Sequence, residues 1–398
     1  MSKLTSNKLT LSSCCVTHGM HDGLSSSVYV LLPILAQHFS LGFSQIGLIR
    51  AVYTGAMWLT EIPAGILSER IGERRLLVLG IIGSGVGFFA VSFTEGYYGV
   101  LLALFVCGCG AAFQHSLCSS LISKSFGEPE LRIALGTYNA SGDIGKLLFT
   151  LVASLLLGIG LGWQTITLGY GLLAFVVALT IWILLGVKSA RKLSAIKLKK
   201  IACINSWGIK DRAGFTNLAG IVFLDSLIQD GFLVFITFVM IEKQVSTGLV
   251  AFAVVATLSG GICGKFVGGL LAARIGMIRS IVLFEMLTAI GIMLVFYSPR
   301  NISFFLLPLV GVFLQGSSSI TYGTVSNLVS TEHQSRGFSI IYTIANSASF
   351  VGPAIFGLIT DYFGFKFMMI VMATLVLVTL PLCYPLKSAL ERIQSGIK

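Results

Sequence analysis

Charge is scarce in this chain. Charged residues make up 11% of its 398 residues, whereas 55% are hydrophobic. A soluble domain carries about 25% charged residues. Because a water-soluble core cannot hide this much apolar surface, the composition predicts a protein whose main solvent is lipid.

Motifs that indicate enzymes and nucleotide-driven machines are also missing. No Gly-x-x-x-x-Gly-Lys-Ser/Thr loop occurs, so work would have to be driven by a gradient rather than by a nucleotide. The chain has eight cysteines, but Cys14-Cys15 and Cys107-Gly-Cys109 lack the spacing of zinc sites. We therefore predict a protein that is not an enzyme and has no cofactor and no bound metal.

Long apolar runs fill the sequence from one end to the other. A helix that crosses a bilayer needs about 20 mainly apolar residues. Helices are required because open strands would leave backbone groups unpaired in lipid. We predict an all-α transmembrane protein of twelve helices. The predicted spans are about 11–37, 45–67, 75–94, 97–123, 133–159, 163–187, 214–240, 246–272, 279–297, 302–329, 337–360 and 364–386.

Basic residues give the predicted orientation. The net charge of +11 could suggest a nucleic-acid partner, but most of the 27 basic residues fall on one side when alternate loops are assigned to alternate sides. The positive-inside rule then predicts that both termini and the central loop are cytoplasmic, in a bacterial inner membrane. The predicted partners are the bilayer, a proton and a small-molecule substrate, without nucleic acid, for a monomeric protein.

One charged turn occurs twice. Residues 65–75 read Gly-Ile-Leu-Ser-Glu-Arg-Ile-Gly-Glu-Arg-Arg, and residues 269–279 read Gly-Leu-Leu-Ala-Ala-Arg-Ile-Gly-Met-Ile-Arg. A repeat separated by about half the chain indicates two duplicated halves. We predict an N-terminal six-helix half at 1–187, a basic cytoplasmic linker at 188–212 and a C-terminal six-helix half at 213–398.

The turn resembles the loop motif of the major facilitator superfamily, which has Gly, a small or acidic residue, Arg, Gly and then basic residues. The resemblance implies two pseudo-symmetric halves that rock about a central site, which is secondary transport by alternating access. A closer resemblance rests on three helices, with His18, Asp22 and Pro33 on helix 1, Gly108, Gly110 and His115 on helix 4, and Gly142-Asp143-Ile144-Gly145 on helix 5. In these residues the chain is similar to fosmidomycin-resistance-type exporters, which implies efflux. Ser116 departs from that group, which tends to have Pro there.

Ionisable residues inside spans are costly and are therefore candidates for function. His18, His21 and Asp22 share one face of helix 1, because they are spaced by three and four residues. A carboxylate on each half would suit a proton site, and the alternative is a buried polar cluster that joins helices. No metal site is predicted, because its ligands would have to converge from two helices. The predicted proton-coupling and substrate cavity comprises His18, His21, Asp22, His115, Asp143, Lys146, Asp225, Gln229 and Asp230.

The repeated turn itself is predicted to form a cytoplasmic gate. Its arginines can bond terminal carbonyls and pair with Glu69 or Glu73, although orientation alone would also explain them. Glu61 and Lys265 occupy equivalent positions in the two halves, so we predict that they pair. Arg50 is expected to snorkel from the end of its span, and Glu285 to be a packing or interface residue. The predicted gate comprises Gly65, Glu69, Arg70, Gly72, Arg74, Arg75, Arg274 and Arg279.

The expected function is secondary active transport of a small molecule, most simply proton-coupled efflux. Two alternatives remain open. Lys146 could hold an anionic group, which favours proton-coupled uptake of a small anionic metabolite. The same fold could also serve as a ligand sensor that binds without net transport.

Overall fold

A computed structural model describes residues 3–127, 130–185, 208–330 and 334–395. Within these ranges the chain is almost entirely helical, and its extended residues pair only in an isolated bridge between Ile209 and Val329. The helices are α1 (Lys3–Phe39), α2 (Phe43–Ile71), α3 (Glu73–Val91), α4 (Tyr97–Ala111), α5 (Gln114–Ser125), α6 (Glu130–Gly158), α7 (Trp163–Leu185), α8 (Arg212–Glu242), α9 (Thr247–Val250), α10 (Phe252–Ile275), α11 (Met277–Tyr297), α12 (Arg300–Leu328) and α13 (Gln334–Ser395).

Within the described residues the predicted spans fall mainly on helix, and two of them are interrupted. The fourth predicted span is divided into α4 and α5 by a turn at Ala112 and Phe113, and the eighth into α9 and α10. The last two predicted spans are the two helical stretches of α13, which are separated by non-helical backbone at Gly364, where φ is 77°. Such breaks depend on local packing and backbone conformation, so they cannot be predicted from the hydrophobicity of the sequence alone.

Nine helical segments of the described chain are long and apolar enough to cross a membrane. α1 and α2 are not among them. Both helices include polar groups, such as His18 and Asp22 in α1 and Arg50 in α2, which lower their mean hydropathy. These ionisable side chains of α1 and α2 are buried.

The chain forms two compact units. Unit 1 contains the described residues within Met1–Leu41 and Ile49–Ile196, and unit 2 those within Gly42–Leu48 and Lys197–Lys398. Of the predicted basic linker, residues 188–207 lie outside the described part of the chain, and residues 208–212 lead into α8.

The first turn of α2 belongs to unit 2, where Asp361 of α13 caps it. The Asp361 carboxylate accepts hydrogen bonds from the backbone N–H of Phe43, at 2.8 Å, and of Ser44, at 2.7 Å. A carboxylate at this position satisfies two of the unpaired N–H groups that begin any helix and complements the helix dipole.

In unit 1, α1 and α6 pack with their backbones in close approach. A Cβ added at Gly145 of α6 would collide with the backbone of Gly19 of α1. Small residues allow this approach between membrane helices. The contact matters for function because it brings the polar face of α1 against the segment of α6 that carries Asp143 and Lys146.

Unit 2 uses the same device between α10 and α12, where Gly260 packs against the carbonyl group of Pro308. Its apolar core includes Phe215, Phe284, Ile341 and Leu386, from α8, α11 and α13.

The two copies of the charged turn share one backbone conformation. Gly72 has φ 93° and ψ 137° between α2 and α3, and Gly276 has φ 90° and ψ 154° between α10 and α11. Residues with a Cβ rarely adopt positive φ. The repeated glycine is therefore required by the geometry of the turn, whatever the basic residues beside it do.

Candidate functional site

Asp22 of α1 is the centre of a buried polar cluster in unit 1, which we call the Asp22 cluster. Its carboxylate lies 2.9 Å from His21 Nδ1, 3.3 Å from His18 Nε2, 3.9 Å from His115 Nε2 and 3.1 Å from Lys146 Nζ. His18, His21 and Asp22 are each less than 8% exposed. Three helices, α1, α5 and α6, thus bring four basic side chains to one carboxylate.

Tyr138 of α6 holds the ring of His18. The Tyr138 carbonyl lies 2.8 Å from His18 Nδ1, and its ring stacks on the imidazole with centroids 4.2 Å apart. Because a carbonyl oxygen can only accept, Nδ1 must carry the proton in this bond. His18 Nε2 therefore faces Asp22 either with a lone pair or with a second proton. Gln114 in turn donates to the Tyr138 hydroxyl over 2.6 Å.

His115 reaches the cluster because the helix breaks just before it. The turn at Ala112 and Phe113 starts a new helix, α5, and His115 lies in its first turn. The His115 ring meets His18 and His21 edge-on, with centroids 5.1 and 5.0 Å apart. The side chains of His115 and Lys146 are 43% and 32% exposed, so the cluster is reachable from one side.

Lys146 bridges two carboxylates. Besides Asp22, it contacts Asp143 one helical turn earlier on α6, at 3.4 Å. With neutral imidazoles, the two carboxylates and one ammonium leave the cluster with one net negative charge. An arrangement of this kind in a low-dielectric site favours the entry of one further positive charge.

His21 has a second environment. If Nδ1 donates to Asp22, Nε2 is left as an acceptor, and it has no hydrogen-bond partner among the described residues. On this side His21 lines a small cavity in unit 1, together with Thr17, Ser84 and Gln114. His21 therefore lies between the Asp22 carboxylate and a small, mostly apolar cavity within the same unit.

The predicted residues of α8 lie in unit 2 and face α12. Asp225 is 7% exposed and accepts a hydrogen bond from the Ser317 hydroxyl at 2.7 Å. Gln229 donates to the Leu314 carbonyl at 3.3 Å, and Asp230 is partly buried. Glu285 of α11 is 1% exposed and lies within electrostatic range of Asp225. Unit 2 thus has its own buried acidic pair.

At the charged turn, the structure shows contacts within unit 1. Arg74 donates to the Leu185 carbonyl at the end of α7, over 2.9 Å. Glu73 accepts from Lys124, at 2.7 Å, and from Ser120, both on α5. Among the other gate candidates, Arg75 is partly buried. The exposed candidates are Arg70, Gly72, Arg274 and Arg279. The burial of Gly65 and Glu69 lies outside the described part of the chain. Of the predicted pair, Glu61 and Lys265 are each partly buried.

The expectation that Arg50 snorkels is wrong. Arg50 is 6% exposed, donates to the carbonyl and the hydroxyl of Ser25 at 3.1 Å, and lies over the rings of Tyr29 and Tyr53. Aromatic faces and a carbonyl replace the water that a snorkelling guanidinium would seek. Sequence position near a span end was a poor guide, because it does not show which aromatic residues turn toward the arginine.

Sequence reasoning also missed three neutral polar residues that position the charged ones. Tyr138 and Gln114 hold His18 in unit 1, and Ser317 holds Asp225 in unit 2. Their cost in a membrane is smaller than that of a charge, so a search for ionisable residues passes over them.

The family of the chain follows from comparison with known proteins. The family model described as the Major Facilitator Superfamily matches residues 14–217 and, a second time, residues 218–397. The chain belongs to this superfamily. Its two matches confirm the predicted all-α fold of twelve transmembrane helices in two six-helix halves, which makes the chain a multi-pass membrane transporter.

Relatives within the superfamily are distant. The chain is 22% identical over 340 residues to the uncharacterized MFS-type transporter MJ1560 of Methanocaldococcus jannaschii, covering 84% of this chain and 86% of that protein. It is 24% identical over 147 residues to the fosmidomycin resistance protein of Escherichia coli, covering 37% of this chain and only 36% of that protein. The second match bears out the resemblance to fosmidomycin-resistance proteins.

A solved structure of the superfamily shares the fold. The crystal structure of a bacterial homologue of the human lysosomal transporter Spinster, described as inward-facing and unoccupied, superimposes with a TM-score of 0.82. The match covers 98% of each chain at 14% sequence identity. At this identity the likeness supports the fold and leaves the substrate open.

Proposed function

We propose that the protein is a secondary active transporter that exports a small molecule across the bacterial inner membrane in exchange for protons. In this proposal, the halves at 1–187 and 213–398 rock about a central site, with both termini and the linker on the cytoplasmic side. The observation that carries the proposal is the Asp22 cluster, a buried carboxylate within 3.3 Å of two imidazoles and an ammonium.

The cluster has the parts that a proton carrier needs. Asp22 takes the proton, and His18 Nε2 and His21 Nδ1 lie close enough to hand it over. His115 and Lys146 connect these buried groups to the exposed side of the cluster. Protonation of Asp22 removes the negative charge that holds Lys146, so the ammonium is released toward Asp143 or a substrate.

Exchange follows if proton and substrate compete for this cluster. A substrate that needs the ionised carboxylate of Asp22 binds only after the proton has left, and a proton returns only after the substrate has left. Such competition is the condition for antiport. The name of the Escherichia coli relative, a fosmidomycin resistance protein, adds support for export.

We further propose that the charged turn gates the cytoplasmic side. Arg74 ties the start of α3 to the end of α7, and Glu73 ties it to α5 through Lys124. These contacts fix the charged turn against α5 and α7. Arg70, Arg274 and Arg279 are exposed, so their guanidinium groups can bind acidic side chains or helix-end carbonyls when the cytoplasmic side closes.

One observation favours a second function, proton-coupled uptake of a small anion. Lys146 is 32% exposed and is paired to Asp22 at 3.1 Å. A proton on Asp22 would free the ammonium for an anionic group, so that proton and anion bind together rather than in competition. The result would be symport.

Proteoliposomes containing the purified full-length protein and an internal pH dye test both functions. Antibiotics including fosmidomycin, siderophores and organic acids are added in turn. Efflux by exchange predicts that protons move opposite to the transported compound. Protons that move with an organic acid would establish uptake instead. A compound that binds but causes no flux of itself or of protons would overturn both and indicate a sensor.

A further inference from the structure

Three metal-ligating side chains from two helices, α1 and α5, converge in the Asp22 cluster, where the sequence analysis predicted no metal site. One ligand atom each of His18, Asp22 and His115 lies within 4.8 Å of the other two. The ligand atoms of a zinc ion, with bonds of about 2.0–2.1 Å, lie about 3.3 Å apart in a tetrahedron. His18 Nε2 and Asp22 Oδ2 are already 3.3 Å apart. His115 Nε2 is 3.9 Å from Asp22 Oδ1, and its half-exposed side chain has room to turn.

The hydrogen bond behind His18 is the one that metal-binding histidines usually make. A ligating imidazole generally donates its other N–H to a carbonyl or carboxylate, which fixes the tautomer and aims the free nitrogen. Here Nδ1 donates to the Tyr138 carbonyl at 2.8 Å. With the neutral imidazole, Nε2 presents a lone pair to the Asp22 carboxylate at 3.3 Å, and either a proton or a metal ion between these two acceptors would relieve their repulsion.

Gly142 of α6 lies beside His18 Nε2 and Asp22 Oδ2 and has no side chain. A Cβ built on Gly142 of α6 would lie 2.5 Å from His18 Nε2 and 2.8 Å from Asp22 Oδ2. Any larger residue would collide with both ligand atoms. Glycine at this position thus lets the backbone of α6 pack directly against the pair without displacing either atom.

The net charge of the Asp22 cluster also favours a bound cation. With neutral imidazoles the cluster holds one net negative charge, which suits a cation and disfavours a free anion. His21 is already engaged, because its Nδ1 lies 2.9 Å from Asp22 Oδ1. Two imidazoles and one carboxylate, with a fourth position left to solvent, form a donor set that zinc commonly takes.

We propose that His18, Asp22 and His115 bind a divalent transition-metal ion of the zinc class, in competition with Lys146. The ammonium of Lys146 lies 3.1 Å from Asp22 Oδ2 and must withdraw toward Asp143 when the metal enters. A bound metal occupies the carboxylate that takes the proton in the proposed function, so it inhibits proton exchange. That inhibition rests on the proposed function, whereas the binding itself does not.

Calorimetric titration of the full-length protein in nanodiscs with Zn²⁺ tests the site. His115→Ala should lower the affinity by roughly 100-fold, at least as much as the loss of an outer-shell partner. Lys146→Gln should raise the affinity by about tenfold, because it removes a competing positive charge. The control is His38→Ala, whose ring packs against Phe39 and Trp163 away from the cluster. Equal affinities for the His115 and His38 variants would overturn the proposal.

A second titration with Co²⁺ reports the donor atoms and guards against binding by the cysteines. Nitrogen and oxygen ligation gives visible d–d bands without a thiolate charge-transfer band, and His18→Gln should abolish them. A thiolate band that survives in the His18 variant would place the metal elsewhere and refute the assignment. Proton exchange in proteoliposomes is read separately, so loss of the metal site alone leaves the proposed function standing.

Discussion

Lys146 places its ammonium nitrogen 3.1 Å from Asp22 Oδ2, across the contact between α6 and α1, and 3.4 Å from Asp143 Oδ1 on its own helix. Its side chain is about one-third exposed, whereas that of Asp22 is 8% exposed. The pair is therefore unequal, because loss of the ammonium leaves a buried carboxylate with imidazoles alone.

Lys146→Gln should destabilise the protein by about 1–3 kcal/mol, less than for a fully buried pair because water reaches the lysine. Thermal unfolding in detergent measures the change. The matched control is Lys387→Gln, whose pair with Glu391 at 3.7 Å is exposed, so its effect should stay within about 0.5 kcal/mol. Adding Asp22→Asn should recover part of the loss. Equal stability of the two lysine variants would contradict the described pair.

The backbone contact between Gly19 and Gly145 gives a second prediction. Gly145→Ala should destabilise the protein by about 1–3 kcal/mol, because the new Cβ forces α1 and α6 apart. Gly136→Ala on the same helix meets open space and should be neutral or slightly stabilising. Fluorescence-detected thermal unfolding compares the two. A Gly145 variant that matches the Gly136 variant would show that α1 and α6 are not in close contact.

Asp211 gives a prediction with a pH dependence. The Gly214 backbone N–H and the Arg392 guanidinium hold the pKa of this carboxyl below its usual range, and the Gly214 bond is the larger cause. The side chain caps α8 over 2.8 Å. A lowered folded-state pKa means that the stabilisation is complete above the unfolded-state pKa, about 3.9. It is lost as the pH falls through the folded-state value.

Asp211→Ala should therefore cost about 1 kcal/mol at neutral pH, and the difference from the parent protein should shrink below about pH 4. Thermal unfolding of both proteins across this range measures the difference. Arg392→Gln is the partial control, since it removes the weaker cause and keeps the cap. A difference that is unchanged or larger at acid pH would contradict the assigned cap.

Much of the fold could be predicted because only a few backbone structures can cross a lipid bilayer. Apolar runs of spanning length must be helices, and the repeated glycines of the turn, Gly72 and Gly276, both have the positive φ that only glycine adopts easily. Helix breaks were harder. Nothing in the sequence around Ala112 and Phe113 marks the end of α4, since a turn without proline or charge looks like the run that it interrupts.

The candidate site could be predicted only in part, because some of its residues are brought together by helix breaks and by packing between helices. His18, His21 and Asp22 share a helix face by spacing alone, so their proximity follows from helix geometry. His115 depends on the break between α4 and α5, and the approach of Lys146 depends on the Gly19–Gly145 contact. Tyr138, which holds His18, acts through its carbonyl and ring rather than through a charge. Such roles depend on tertiary packing, which a single sequence does not show.

The most direct test of the central claim is proton-gradient-driven transport by Asp22→Asn in proteoliposomes, compared with the parent protein and with Glu391→Gln as a surface control. The variant should fold, since asparagine keeps the shape and most of the hydrogen bonds of aspartate. We expect gradient-driven transport to be lost in Asp22→Asn and retained in Glu391→Gln. Full activity of the Asp22 variant, with an unchanged dependence on pH, would contradict the account.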